Sequence, residues 1–430
     1  MNDLNRRTFL GSSALAAGLF VAGTSSARAQ SASQQPLKAA VMGLGGRGRS
    51  LTKTFGSQEG LAIVTVCDPD GDRLAVAATE VGKRSGADPK AETDIRKVLD
   101  DESIDILIVA APNHWHGPAT IMACGAGKHV YVEKPCCHNP AEGEMMIAAA
   151  KKNNRCVQVG TQRRSNAAIA EGVQLVHDGA IGDAYYARSW YANQRGPIGT
   201  GKQTDPPPEL QYELWEGPAP HKSYHTNYLH YNWHWFWHWG NGELGNNGTH
   251  SIDLCRWALR VDYPNEVVSS GGRYAYDDDQ QTPDTHVVSY KFDGDKQVMW
   301  EGISCNRHGI NKTGFGATIH GNDGTMEFNS SGYVLWDAKG REVQKKSTGN
   351  PGDDSHIANL LAAVRANDPS RLNCEVAEGH KSTLLPHLGN IAHRMGRSLN
   401  CSTENGHIEG DDEAMSLWRR EYAKGWEPKV

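Results

Sequence analysis

Residues 37–48 read Leu37-Lys38-Ala39-Ala40-Val41-Met42-Gly43-Leu44-Gly45-Gly46-Arg47-Gly48. A short apolar run feeds directly into glycines spaced G-x-G-x-x-G, and a helix-forming stretch follows to about residue 55. The spacing alone is a weak signal. Between a strand and a helix it reads as a dinucleotide-binding turn. Gly43 permits the tight turn, Gly45 lets backbone approach a pyrophosphate, and Gly48 allows close helix–strand packing. The helix N-terminus then offers unpaired N–H groups to phosphate. Asp68 lies twenty residues past Gly48, at the end of the next apolar run. A carboxylate there accepts from both ribose hydroxyls and repels a 2′-phosphate, which favours NAD. Arg47 and Arg49 leave NADP open, because either could contact a phosphate.

Outward from this turn, apolar runs at 37–42, 62–67, 104–110, 130–133 and 156–160 alternate with helical stretches at 70–84, 94–100, 116–126 and 141–153. The unbroken Ile/Leu/Val run at 104–110 marks a strand buried on both faces. This alternation predicts a doubly wound parallel sheet. Near residue 160 the pattern changes. One helix (167–177) precedes period-2 segments at 184–192, 266–274, 286–292, 297–305, 317–320 and 332–336. Turns such as Asp293-Gly294, Asn322-Asp323-Gly324 and Ser331-Gly332 punctuate them. Helices return at 356–366 and 375–397. The expected fold is α/β: a Rossmann domain at 36–160 and an α+β domain with a large, mostly antiparallel sheet at 161–400, followed by a tail at 401–430. The Pro/Gly/Lys-rich stretch 195–225 reads as a long loop.

The 430-residue chain has net charge −6, which argues against a nucleic-acid partner. Asn5-Arg6-Arg7-Thr8-Phe9-Leu10, a mildly apolar stretch to residue 23 and Ala27-Arg28-Ala29 form the charged, apolar and cleavage regions of a signal peptide. The twin arginines resemble a Tat export signal, so 1–29 is expected to be removed and the protein to be periplasmic or otherwise exported. Its loss takes Arg6, Arg7, Arg28 and Asp3 and leaves net charge −8. The apolar stretch is too short to span a membrane, and no later segment is long enough. Nine cysteines are irregularly spaced, with Cys136-Cys137 adjacent, and support neither a zinc site nor a disulfide framework. No metal is expected.

One segment follows the 104–110 strand, Ala111-Pro112-Asn113-His114-Trp115-His116, and a second follows the next helix, Ala126-Gly127-Lys128-His129-Val130-Tyr131-Val132-Glu133-Lys134-Pro135. A third reads Gly242-Glu243-Leu244-Gly245-Asn246-Asn247-Gly248-Thr249-His250-Ser251-Ile252-Asp253. With the glycine turn, they resemble the glucose–fructose oxidoreductase / inositol dehydrogenase (Gfo/Idh/MocA) family from residue 36 to about 397. The resemblance implies that Lys134 and His250 line a catalytic site. It also implies that Pro112, Asn113, His116 and Glu133 border the cofactor beside Gly43, Gly45, Arg47, Gly48 and Asp68. Oxidising a sugar carbinol requires removal of the hydroxyl proton, and a lysine and a histidine can share that task. Glu133 would orient or charge-balance Lys134, and the Lys134-Pro135 bond is a candidate cis peptide. Dehydrogenases of the family carry Asp four residues before the histidine, whereas this chain has Asn246. An amide orients substrate but cannot relay a proton, so Lys134 and His250 suffice or Asp253 assists. Asp253 also fits a purely structural pairing. Gln162 and Arg163, after the last Rossmann strand, are expected substrate contacts on the same resemblance.

Four of the twelve tryptophans (233, 235, 237, 239) fall within seven residues, interleaved with His234 and His238. With His230 these histidines have i, i+4, i+8 spacing, which on a helix would share one face. A buried core segment is one reading. The favoured one is a pocket wall, with flat rings against sugar C–H faces and His234, Trp235 and His238 contacting substrate. The expectation is an exported NAD(P)-dependent oxidoreductase acting on a sugar or cyclitol, assembled as a homo-oligomer as in relatives. The alternatives are an NAD-dependent glycoside hydrolase working by transient oxidation and elimination, and a non-catalytic sugar-binding relative.

Overall fold

Six parallel strands carry the first half of the fold, in the order β3-β2-β1-β4-β5-β6. They are β1 (Leu37–Met42), β2 (Leu61–Cys67), β3 (Lys90–Glu92), β4 (Ile106–Val109), β5 (His129–Val132) and β6 (Val157–Val159). The computed structural model describes residues 35–430, so the export signal read at 1–29 lies outside the described residues. Strand order reverses between β1 and β4, and ligands of doubly wound sheets bind outside the carboxyl ends at such a point. Here that edge brings together the glycine turn after β1, the Ala111–His116 segment after β4 and Glu133-Lys134 after β5. β4 and β5 are buried throughout, as their uninterrupted apolar composition requires.

Helices α1 (Gly46–Gly56), α2 (Gly71–Ser85), α3 (Ile95–Leu99), α4 (Asn113–Gly125) and α5 (Pro140–Asn153) cover the two faces of this sheet. Asp70, Asp94 and Asn139 cap α2, α3 and α5 by accepting from first-turn N–H groups. The expected boundaries agree within a few residues. β3 escapes detection because it is a three-residue polar edge strand.

The second sheet has nine strands in the order β14-β13-β12-β11-β7-β10-β9-β8-β15. In chain order they are β7 (Ala184–Ala192), β8 (Glu266–Gly272), β9 (Thr285–Phe292), β10 (Lys296–Ile303), β11 (Phe315–Gly321), β12 (Gly324–Phe328), β13 (Gly332–Asp337), β14 (Glu342–Ser347) and β15 (Leu399–Asn400). All neighbours are antiparallel except β7 and β10. Helices α6 (Ala167–His177), α8 (Thr249–Leu259) and α10 (Val376–Met395) bury one face around Trp300, Tyr290, Phe328 and Tyr333; α7 (Tyr212–Glu216) is one turn within the long loop. β14 is exposed at every position, so its sequence lacks the alternation that marks the others.

Helix α9 (Asp353–Ala366) returns to the first sheet. Its Ile357, Leu360, Leu361 and Val364 pack with Val41, Leu51 and Phe55. The expected 161–400 unit therefore lends a helix to the Rossmann layer. No helix among the described residues is long and apolar enough to cross a membrane.

Candidate functional site

The glycine turn follows its steric logic. Gly43 has φ 86°, and a Cβ there would strike the backbone of Ala111. A Cβ at Gly48 would strike the Gly43 carbonyl oxygen, so turn and helix close only with glycine at both positions. Unlike α2, α3 and α5, α1 has no side-chain cap, and unlike α2 and α5 it has no acidic residue in its first turn. Its leading N–H groups are left for an anion. A Cβ at Gly46 would meet nothing within 4 Å, which marks open space above the turn. Asp68 closes one end. Its Oδ2 accepts from the Leu44 N–H at 2.6 Å and its Oδ1 from the Asp70 N–H at 3.0 Å. Burial raises its carboxyl to about 6, against the pull of those N–H groups.

A cavity of about 390 Å³ runs from this turn along the carboxyl edge of the sheet. Gly43, Gly45, Arg47, Asp68, Pro112, Asn113, His116 and Glu133 line it, with Gly48 packed beneath the turn. Lys134, His234 and Asn246 line the same cavity. The expected cofactor residues and the expected catalytic lysine thus share one groove.

Lys134 Nζ donates to the Asn246 carbonyl oxygen at 2.6 Å and to Asn246 Oδ1 at 3.3 Å. Asn246 lies in a π-helical turn, Leu244–Gly248, that leads into α8. Burial lowers the Lys134 ammonium to about 8, although the Glu133 carboxylate opposes the shift. Glu133 in turn accepts from Arg47 Nε at 2.7 Å, and Arg47 Nη2 reaches Asp353 of α9 at 2.7 Å. Burial would raise the Glu133 carboxyl, but the Arg47 and Lys134 charges more than offset it and hold it low. Arg47 is therefore a clamp between α1, the Glu133-Lys134 segment and α9, with two arms already engaged. The Lys134–Pro135 peptide is cis. His116 sits between the carbonyl oxygens of Pro135 (2.6 Å from Nδ1) and Ala111 (2.7 Å from Nε2), tying two strand ends together.

Other expected site residues stand elsewhere. His250 is in the first turn of α8 and does not line the groove. Its Nδ1 is buried without a partner among the described residues. Burial and the charges of Arg163, Lys134 and Arg47 hold it neutral. Gln162 and Arg163 do not line the groove either. The Arg163 guanidinium stacks on the Phe315 ring at 4.1 Å, its Nε and Nη1 lack partners among the described residues, and burial lowers it to about 10.

Three expectations are corrected. Asp253 is 1% exposed, pairs with Arg164 at 2.8 Å and accepts from Ser382 at 2.6 Å, so it is a core ion-pair residue out of reach of substrate. Trp235 is 2% exposed, packs against Arg195 at 4.8 Å and does not reach the groove. His238 lies 2.7 Å from the Pro220 carbonyl oxygen and lines a different cavity. The aromatic segment is not one continuous helix. Only Asn232–Trp235 is helical, a single 3₁₀ turn. The three histidines accordingly find separate partners: His230 meets Asp70 at 2.8 Å, His234 the Tyr231 carbonyl oxygen at 2.6 Å and His238 Pro220.

The groove also recruits residues beyond the expected cofactor and substrate contacts. Arg73 of α2 stands 2.8 Å from where a Gly45 Cβ would be. Trp115, Trp215, Tyr231 and Trp233 supply aromatic wall. Trp426, in the expected tail, lines the groove and packs edge-on against Trp115 with centroids 5.1 Å apart. An uncapped helix start, open space over Gly46 and a buried ribose-directed carboxylate at the other end fit a dinucleotide. Gly43, Gly45, Gly46 and Asp68 would hold it.

Residues 37–161 match the family model described as "Oxidoreductase family, NAD-binding Rossmann fold" (GFO_IDH_MocA). Residues 187–428 match that family's C-terminal alpha/beta domain. A glycosyl hydrolase family 109 protein of Saccharopolyspora erythraea is 32% identical over 212 residues, 44% of this chain and 46% of its own length. A levoglucosan dehydrogenase of Pseudarthrobacter phenanthrenivorans is 28% identical over 42% of this chain and 40% of its own length. These matches span less than half the length of the curated relatives. The solved structure of a levoglucosan dehydrogenase with NADH and levoglucosan shares the fold, with TM-score 0.66 at 18% identity, covering 85% of this chain and 99% of that one.

Proposed function

This chain belongs to the Gfo/Idh/MocA oxidoreductase family, and from that premise we propose that it oxidises a carbinol carbon of a sugar or cyclitol with NAD. One observation carries the reading. Lys134, with its ammonium lowered to about 8, opens into the same groove as the uncapped turn and Asp68. Bound NAD supplies acceptance of a hydride from carbon. The chain supplies the rest. Lys134, as the free amine, takes the hydroxyl proton. Asn246 accepts from Lys134 and fixes its direction, but carries no titrating group. His250, held neutral with Nδ1 open, is the second polar group of the relay in this reading. His234 and Trp233 form the wall against which a sugar ring would lie.

The test is NADH formation by purified protein over a panel of sugars, anhydrosugars and cyclitols, with Lys134→Ala as the control. No NADH from any member, or unaltered turnover by the variant, overturns the reading. The similarity to a glycosyl hydrolase family 109 protein favours one second reading: transient oxidation, elimination of the aglycone and re-reduction. Aglycone release from aryl glycosides without net NADH would select it.

We also propose export through the twin-arginine route, supported by Arg6-Arg7 and the stretch that follows. Cell fractionation of the wild type and the R6K/R7K variant tests it. A homo-oligomer built on the second sheet is supported by Val268 and Val287, which are exposed on adjacent strands β8 and β9, and sedimentation tests that.

A further inference from the structure

The aromatic segment faces two cavities. It gives Trp233 and His234 to the groove, and Trp237 and His238 to a second cavity of about 460 Å³. We propose that this second cavity is a binding site for a small hydroxylated anion, a sugar phosphate or a sugar acid.

Charge gives the first argument. Lys222, Arg394, Arg419 and Arg420 line the cavity, and Glu421 is the one carboxylate among the lining residues. Among the described residues, Lys222, Arg394 and Arg419 have no carboxylate within ion-pair distance. Such a cluster is self-repelling and favours an oxyanion among its members.

Fixed donors give the second. The Arg420 guanidinium is held on two sides. Its Nε donates to Glu142 at 2.9 Å, its Nη2 donates to the His114 carbonyl oxygen at 2.6 Å, and its Nη1 is buried without an acceptor among the described residues. Asn139 is 4% exposed and lines the cavity. Its Oδ1 accepts from the Glu142 N–H at the start of α5, so its Nδ2 is the donor end, with the Tyr422 hydroxyl beside it as a side-chain partner. A pre-oriented guanidinium N–H without an acceptor, beside three free cations and the Asn139 amide, describes an anion receptor.

Two acceptors define the rest of the ligand. His138 Nε2 faces the Trp237 carbonyl oxygen at 3.1 Å, and His238 Nε2 faces that of Pro220 at 2.7 Å. Each ring therefore donates through Nε2, which leaves Nδ1 as an acceptor in the neutral form that burial imposes on both. Acceptors of that kind call for hydroxyl donors. The Trp237 ring, with Arg394 over it at 5.4 Å, adds an apolar wall. Oxyanion, hydroxyls and a flat C–H face together specify an anionic sugar.

Calorimetric titration of the NAD-saturated protein tests the proposal, with glucose 6-phosphate and glucuronate as separate arms and glucose as the neutral control. NAD occupies the glycine turn, the other place where phosphate could settle. Saturable binding of at least one anionic probe, without comparable binding of glucose, is expected. The R394Q/R419Q variant changes two exposed residues outside the groove and should weaken that binding about tenfold or more. Lys222→Gln should weaken it in the same direction. The responding arm distinguishes phosphate from carboxylate. No saturable binding of either anion, equal binding of glucose, or undiminished binding by a folded R394Q/R419Q protein overturns the proposal.

Discussion

The Lys134 ammonium lies 2.6 Å from the carbonyl oxygen of Asn246, a residue 112 positions further along the chain. A neutral carbonyl stabilises an ammonium less than a carboxylate would, and burial lowers Lys134 to about 8. The free amine, the form that can accept a proton, gains population as pH rises through that value. Initial rates of NADH formation should therefore climb through about pH 8 and level above it. Lys134→Arg, which stays charged, should lose on the order of 10²–10⁴ in kcat at every pH. A flat profile would count against Lys134 as the base.

Glu133 pulls in the opposite direction on the same group. Replacing its carboxylate by an amide removes that upward influence. Glu133→Gln should shift the midpoint of the rate profile to lower pH. Arg47 keeps Asp353 as a partner, so the groove should survive the change.

Asp68 should govern cofactor choice. Its carboxyl is raised to about 6, so it becomes protonated as pH falls through that value and loses acceptor capacity. NAD affinity should fall in the same window. Asp68→Asn should weaken NAD about tenfold and narrow its advantage over NADP, both read by fluorescence titration.

Asp253 is expected to act on stability alone. Removing one partner of a buried ion pair costs on the order of 3–5 kcal/mol. Asp253→Asn should lower the denaturation midpoint strongly, while the folded fraction retains its KM. A raised KM at unchanged stability would restore the substrate-binding role the sequence suggested.

Trp426→Ala should weaken NAD binding by removing one side of the groove. Loss of one aromatic contact to the bound cofactor, worth about 0.5–1.5 kcal/mol, predicts binding a few-fold to about tenfold weaker. Turnover at saturating NAD should change little.

The parallel sheet and its glycine turn are legible because their determinants are local. Gly43, Gly45 and Gly48 sit within one turn, and the buried strands β4 and β5 are uninterrupted apolar runs. β3 and β14 hide because edge strands carry polar residues that look like loop. The aromatic segment misleads for a different reason. Its composition suggests a single wall, but Trp235 turns inward to Arg195 and His238 is drawn to Pro220, while His230, held by Asp70, stays in the groove with His234. Those partners are remote in sequence, and no periodicity encodes them. Asp253 is similar: Arg164 lies 89 residues away, so nothing near it separates a core ion pair from a substrate contact.

The clamp from Arg47 to Asp353 and the packing of Trp426 on Trp115 bear on the order of events during synthesis. A ribosome finishes the glycine turn long before it reaches either distant partner. The first 160 residues can pair their strands, yet their groove would lack one wall and the Arg47 guanidinium would lack one of its two carboxylates. Full affinity for the dinucleotide should therefore be reached only after residue 426 has emerged and folded back. Cofactor loading would then report that the chain has folded as far as residue 426.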